Sequence, residues 1–98
     1  MKITWSPMAV DQAREIAQYI ALDKPTVAEQ WIDEIFMSVE RLKEFPESGR
    51  VVEEIKRSEI REIVHGSFRV IYKIKKKEIL VLLVKRDRQK LRKDEVGG

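Results

Sequence analysis

From Phe68 to Ile74 the chain reads FRVIYKI, with apolar residues at every second position. Successive side chains on a strand point to opposite faces. Phe68, Val70, Tyr72 and Ile74 therefore share one face, and Arg69, Ile71 and Lys73 stand among buried neighbours on the other. The surrounding stretch, Arg57 to Arg88, holds two more strand-like runs, one beginning at Glu59 and one at Ile79–Val84. His65-Gly66-Ser67 and Lys75-Lys76-Lys77 read as the hairpin turns between them. A parallel pairing needs a crossover of about a dozen residues or more, and nothing of that length separates these runs. The second half of the chain is thus expected to form an antiparallel meander. Its last apolar run ends abruptly in Lys85-Arg86-Asp87-Arg88.

The first half changes period. Lys2 to Trp5 reads as a short strand. Ser6-Pro7 then starts a helix, because serine caps free amides and proline fits the first helical position. Ala9, Ala13, Ile16, Ala17 and Ile20 recur at helical spacing. The helix should end near Asp23-Lys24, since Pro25 disfavours helix in the residue before it. Thr26-Val27-Ala28-Glu29 has the form of a capping box for a second helix. That helix carries Ala28, Trp31, Ile32, Ile35, Val39 and Leu42 on one stripe, with Phe36 beside it, and stops by Pro46-Glu47-Ser48-Gly49. Two such helices joined by a short turn make an antiparallel hairpin. Arg50 to Ser58 has no clean period.

The expected fold class is α+β in the order β-α-α-β-β-β, with the N-terminal helical hairpin packed on one face of a small antiparallel sheet. The shared core is expected from Ile16, Ile20, Trp31, Ile35, Val39, Phe68, Val70, Tyr72 and Leu82. The opposite sheet face is left partly open.

Ninety-eight residues make a single domain, 1–98, in which the polar segment 89–98 is expected to fray. Charged residues reach 38%, against about 25% in typical domains, so apolar area is scarce and a partner that completes the core is expected. The net charge of +3 suits an acidic partner without demonstrating nucleic-acid binding. There is no cysteine and one histidine, which argues against disulfides and zinc, and no cofactor is implied. No apolar run suits a membrane span, and the opening KITW lacks a signal-peptide core, so a cytoplasmic location is expected.

Several groups could carry chemistry. Arg61, Arg69, Arg86 and Arg88 could converge on one concave face and grip phosphate or an acidic peptide, for which guanidinium forks are suited. Alternatively they are solvated, with Arg69 paired to Glu62 across the hairpin. His65 could move protons near neutral pH, but as a turn residue it has no nucleophile nearby. Glu59 and Glu62, with Lys56 or Lys73, could shuttle protons in RNA cleavage, yet no spacing singles them out. Trp31 and Trp5 read as core residues rather than as stacking platforms. The run Lys85 to Lys93 fits either a phosphate-binding arm or a solvated strand end.

Across residues 3 to 88 the chain resembles the RelE/ParE superfamily of toxins from bacterial type II toxin–antitoxin, or plasmid-stabilisation, modules. The matching residues are Trp5-Ser6-Pro7 with Ala9, then Ile16 with Tyr19-Ile20, and Pro25 with Ala28. Phe45-Pro46 and Gly49-Arg50 follow, and last come Arg61-Glu62-Ile63 and Gly66-Ser67-Phe68-Arg69-Val70-Ile71-Tyr72. The resemblance implies a toxin bound by a cognate antitoxin protein. The RelE branch cuts messenger RNA on the ribosome, and under that reading Arg69, Arg86 and Arg88 would be the catalytic cations. That branch also relies on lysines before its central arginine, where this chain has Ile60 and Glu62. Its C-terminal tyrosine has no match either, since Leu91 and Arg92 stand there. An acid in place of a base inverts the charge offered to an RNA backbone. The long helical hairpin is similar to the ParE branch, whose members are not enzymes and inhibit DNA gyrase, a topoisomerase. A third reading is a non-toxic module protein that only binds antitoxin.

Overall fold

The computed structural model describes every residue except Arg88 and Gly98. Its elements are β1 (Lys2–Trp5), α1 (Pro7–Ala21), α2 (Pro25–Glu40), β2 (Arg50–Val51), β3 (Ile60–His65), β4 (Phe68–Ile74) and β5 (Glu78–Arg86). Short 3₁₀ turns at Arg41–Lys43 and Lys93–Val96 complete it.

Ser6 sits in extended backbone ahead of α1, and its Oγ accepts the Ala9 amide at 3.0 Å. That satisfies one of the donors every helix start leaves open. The expected capping box on α2 does not form. Pro25 takes the first helical position behind Lys24, so Thr26 lies inside the helix and no side chain caps it. Proline's fixed φ and missing N–H suit a first turn, and this preference moved the start ahead of the box. α2 ends at Glu40, and a 3₁₀ turn carries Leu42 into the core before Pro46.

The three C-terminal strands form the expected antiparallel meander, with Glu62 opposite Ile71 and Ile71 opposite Leu83. The β3–β4 turn is closed by Gly66 at φ +58°, a left-handed conformation that glycine adopts at no steric cost. Two strands extend the sheet to the order β1-β5-β4-β3-β2. β1 lies parallel to β5, with Lys2 beside Glu78 and Trp5 beside Val81. The intervening helical hairpin supplies the long crossover a parallel pair requires. The brief β2 pairs with β3 at the other edge.

A bulge in β5 changes which residues face the helices. Tyr72 pairs with Val81 but Ile71 pairs with Leu83, leaving Leu82 as the extra residue. Ile79 and Val81 face the helical hairpin before it, and Val84 faces it afterwards. Leu82, expected in the core under the helices, packs with the cluster on the opposite face. The displaced backbone groups find partners on α1 and its N-cap. Ser6 Oγ donates to the Leu82 carbonyl at 2.8 Å, and the Val84 amide donates to Gln12 Oε1 at 2.8 Å.

The hairpin-side core contains the other expected residues. Trp31, Ile35, Val39, Val70 and Tyr72 are buried, and Ile16, Ile20 and Phe68 pack around them. Tyr72 closes its end by donating to the Pro46 carbonyl at 2.7 Å and accepting the Gly49 amide at 3.0 Å. A Cβ at position 49 would fall 2.5 Å from the Tyr72 hydroxyl, so this approach needs glycine. The other sheet face is not open. Val52, Ile55, Ile60, Ile71, Leu83, Leu91 and Val96 form a second cluster there. The expected fraying of segment 89–98 is corrected at Leu91 and Val96, both of which are buried. Apolar side chains at the two ends of an otherwise polar stretch anchor it. Among the described residues, no helix is long and apolar enough to cross a membrane.

Candidate functional site

The alternation that exposes one face of β4 to the helices turns Arg69 to the other, among Ile60, Ile71 and Leu83. Arg69 is 4% exposed there, yet nearly all its donors are used. Its Nε meets Glu62 Oε1 at 2.5 Å, diagonally across the β3–β4 hairpin. Its terminal nitrogens fork onto Glu54 at 2.9 and 3.1 Å, and one also donates to the Gln89 carbonyl at 3.0 Å. Glu62 is itself buried and takes a second guanidinium, from Arg50 at 2.9 Å. Glu54 also accepts the Leu91 amide at 3.1 Å. One arginine thus ties β3, the β2–β3 connection and the C-terminal segment together.

The electrostatics agree. The Arg69 fork holds the Glu54 carboxyl at about 2, well below its ordinary value, with the Leu91 amide adding to the effect against partial burial. Burial by itself would push Arg69 down, but its two carboxylates outweigh burial and raise it. A cleft of about 280 Å³ opens beside this network between Arg50, Glu53, Glu54 and Lys90. Its walls carry both signs of charge, so it is not a cationic phosphate cradle.

The expected convergence of arginines does not occur among the described residues. Arg61 and Arg86 stand opposite Tyr72 and Phe68, on the helix side, while Arg69 faces away. Arg61 is occupied by the carbonyls of Glu47, Gly49 and Ser58 at 2.9–3.2 Å. Arg86 lies at the far end of the sheet, 5.7 Å over the Tyr19 ring. Arg88 falls outside the described residues. Alternation separated Arg61 from Arg69, and the bulge in β5 set the parity of Arg86.

The other candidates are dispersed as well. Glu59 pairs with Arg57, whose guanidinium lowers its carboxyl, and is remote from any cluster. His65 bridges to Glu34 on α2 at 2.8 Å. Trp31 stacks edge-on against Phe68 at 5.4 Å as a core residue. Within the basic run, Lys85 binds Glu95 at 2.6 Å and holds the last 3₁₀ turn, lowering the Glu95 carboxyl. Among the described residues, no His, Cys, Asp and Glu side chains gather in a group that could hold a metal ion.

The sequence points to the helical hairpin as a surface for a partner's apolar side chains, but not to the groove on it. Ala13, Ala17, Ala21 and Ala28 line the seam between α1 and α2 and leave a groove of about 500 Å³, walled by Val10 and Ile32. The signal was present in the spacing of small residues, but alanine reads equally well as simple helix propensity. The apolar walls of this groove, Ile32 and Val10, are exposed.

Comparison with known proteins is consistent with this geometry. The model of a family described as the ParE toxin of type II toxin–antitoxin system, parDE, matches residues 3–91. The search of curated proteins found no match. Nine chains of solved structures are similar. One, from the chromosomal ParDE TA system of P. aeruginosa, superposes with a TM-score of 0.72 at 22% identity. The alignment covers 88% of this chain and 95% of that one, a likeness of fold.

Proposed function

Because this chain belongs to the ParE toxin family of type II toxin–antitoxin systems, we propose that it binds a bacterial type II topoisomerase, DNA gyrase, and is neutralised by a small antitoxin encoded beside it. The observation that carries the choice of target is the state of Arg69. Cutting RNA through its own 2′-hydroxyl needs a base, an acid and cations free to meet the charged phosphorane. Here the central arginine is buried and held by Glu62 and Glu54. An incoming phosphate would have to displace two carboxylates and would meet their charge. This supports a surface that works by binding.

The antitoxin half of the reading rests on the alanine-floored groove. A segment disordered when free and apolar on one side would gain by laying that side between α1 and α2. Its acidic residues would meet the chain's cationic surface.

Two assays test the reading. In a supercoiling assay, purified protein is expected to inhibit gyrase and to accumulate cleaved DNA. On ribosome-bound message it is expected to leave the RNA intact, and site-specific cuts lost in Arg86→Ala would shift the function to the endonuclease branch. Saturating antitoxin should raise the melting temperature, since a ligand at 100 times its Kd stabilises the folded state by about 2.7 kcal/mol. An unmoved melting point would remove the partner.

A further inference from the structure

α1 is flanked by two apolar surfaces. The groove lies along Val10, Ala13, Ala17 and Ala21. On the other side of the same helix, a hollow of about 310 Å³ is lined by Glu15, Ile16, Tyr19, Ile20, Phe68 and Arg86. At 100° per residue these two sets lie on different flanks, with Gln18 at the edge of the groove, Glu15 at the edge of the hollow and Leu22 between them. Leu22 is 87% exposed and Tyr19 61% exposed, so an apolar path leads from Ala21 over the C-terminal end of α1 into the hollow.

The hollow has a charge to answer. Arg50, Arg57, Arg69 and Lys85 each have a carboxylate within 4.0 Å. Among the described residues Arg86 has none, and its guanidinium rests over the exposed Tyr19 ring. The ring holds the planar fork in place, which lowers the entropy lost when a ligand binds it. Glu15 stands on the α1 rim and repels a carboxylate there, so an acid is directed to the Arg86 side.

We propose that the antitoxin segment seated in the groove continues over Leu22 and ends in this hollow, placing an apolar side chain against Ile16, Ile20 and Phe68 and an adjacent carboxylate on Arg86. This rests on the antitoxin reading above. The crossing is short: a helix is about 10 Å across, and extended chain covers about 3.3 Å per residue, so three to five residues bridge the two sites. Tyrosine and arginine beside an apolar pocket are the residue types that dominate binding energy at interfaces, and the arginine fork matches a carboxylate in two places.

The test measures the Kd of the antitoxin encoded beside this chain for four variants, each first shown to be folded by its thermal melt. Arg86→Glu is expected to weaken binding about thirtyfold, and Leu22→Asp about tenfold. Arg86→Lys should retain most of the affinity at low salt and lose it as salt rises. Ile32→Glu, in the groove wall, serves as the control for the first half of the path. If Ile32→Glu weakens binding while Arg86→Glu and Leu22→Asp stay within about twofold of wild type, the segment stops at the groove. That overturns the inference and leaves the proposed function standing. If Arg86→Glu keeps antitoxin affinity but loses gyrase inhibition, the hollow belongs to the target, and the inference is again wrong. If the unaltered protein binds no antitoxin, the functional reading fails and this inference with it.

Discussion

The two faces of the sheet reach similar burial by different means. Under the helical hairpin, Ile35, Val39, Val70, Tyr72, Ile79 and Val81 meet regular elements whose apolar stripes were set by periodicity. On the opposite face Ile60, Ile71 and Leu83 are covered by irregular chain that contributes Val52, Ile55, Leu91 and Val96. The second cover lacks a helical stripe, and a buried ion network crosses it. Arg69, Glu62 and Glu54 fasten that cover at points where apolar contacts are few. The contrast shows how a small, highly charged chain can close two faces with apolar residues sufficient for one regular core. It also means the faces should fail differently.

The largest expected effect is from Arg69→Ala. It leaves Glu62 buried beside a vanished partner and releases Glu54 and Gln89, and should cost about 3–5 kcal/mol in urea unfolding. Toxicity should fall with it. Arg69→Met combined with Glu62→Leu should recover at least half of that loss, because the orphaned charge is gone. A folded Arg69→Ala protein of unchanged stability that has lost toxicity would make the arginine a functional residue and blur the distinction between the faces.

A matched pair compares the apolar parts directly. Ile35→Ala on the hairpin side and Leu83→Ala on the other should each cost about 2–4 kcal/mol, as both sites are almost fully buried. A Leu83→Ala cost near that of a surface change would show that the irregular cover relaxes around the cavity.

Acid should loosen the ion-bound face first. Glu54 has a folded-state pKa near 2, below its ordinary 4.5, so its contribution is present above 4.5 and is lost as pH falls toward 2. Over that interval the loss should reach at most about 3 kcal/mol, measured as the acid limb of stability in wild type minus that in Glu54→Gln. Backbone amides near Leu91 should gain hydrogen exchange before those of Val70. Equal loss of protection on both faces would mean the cover does not separate from the fold.

The smallest effect is expected at His65. Its bond to Glu34 ties the β3–β4 turn to α2, and Glu34 is mostly exposed. His65→Ala should change stability by about 0.5 kcal/mol or less. A larger value would show that the hairpin-side face also depends on an ionic fastening.

What the sequence determined by itself follows from rules that act over a few residues. Alternation in FRVIYKI set the faces of β4, the Ser6-Pro7 pair opened α1, and the gaps between the last strands were too short for anything but a meander. The order and spacing of motifs along residues 3–88 also carried the superfamily, which the family match confirms. Local rules misled where two competed, as when Pro25 displaced the Thr26 capping box. Tertiary structure decided the rest. β1 lies against β5 across more than seventy residues, and the Leu82 bulge reverses the parity that would have brought Arg86 to Arg69's side. Glu54 and Gln89 reach Arg69 from segments without a readable period. The groove exists only because α1 and α2 bring their alanines together. Periodicity reports which way a side chain points within its own element, whereas the partner it meets depends on how distant elements pack to bury scarce apolar area and leave no buried charge unpaired.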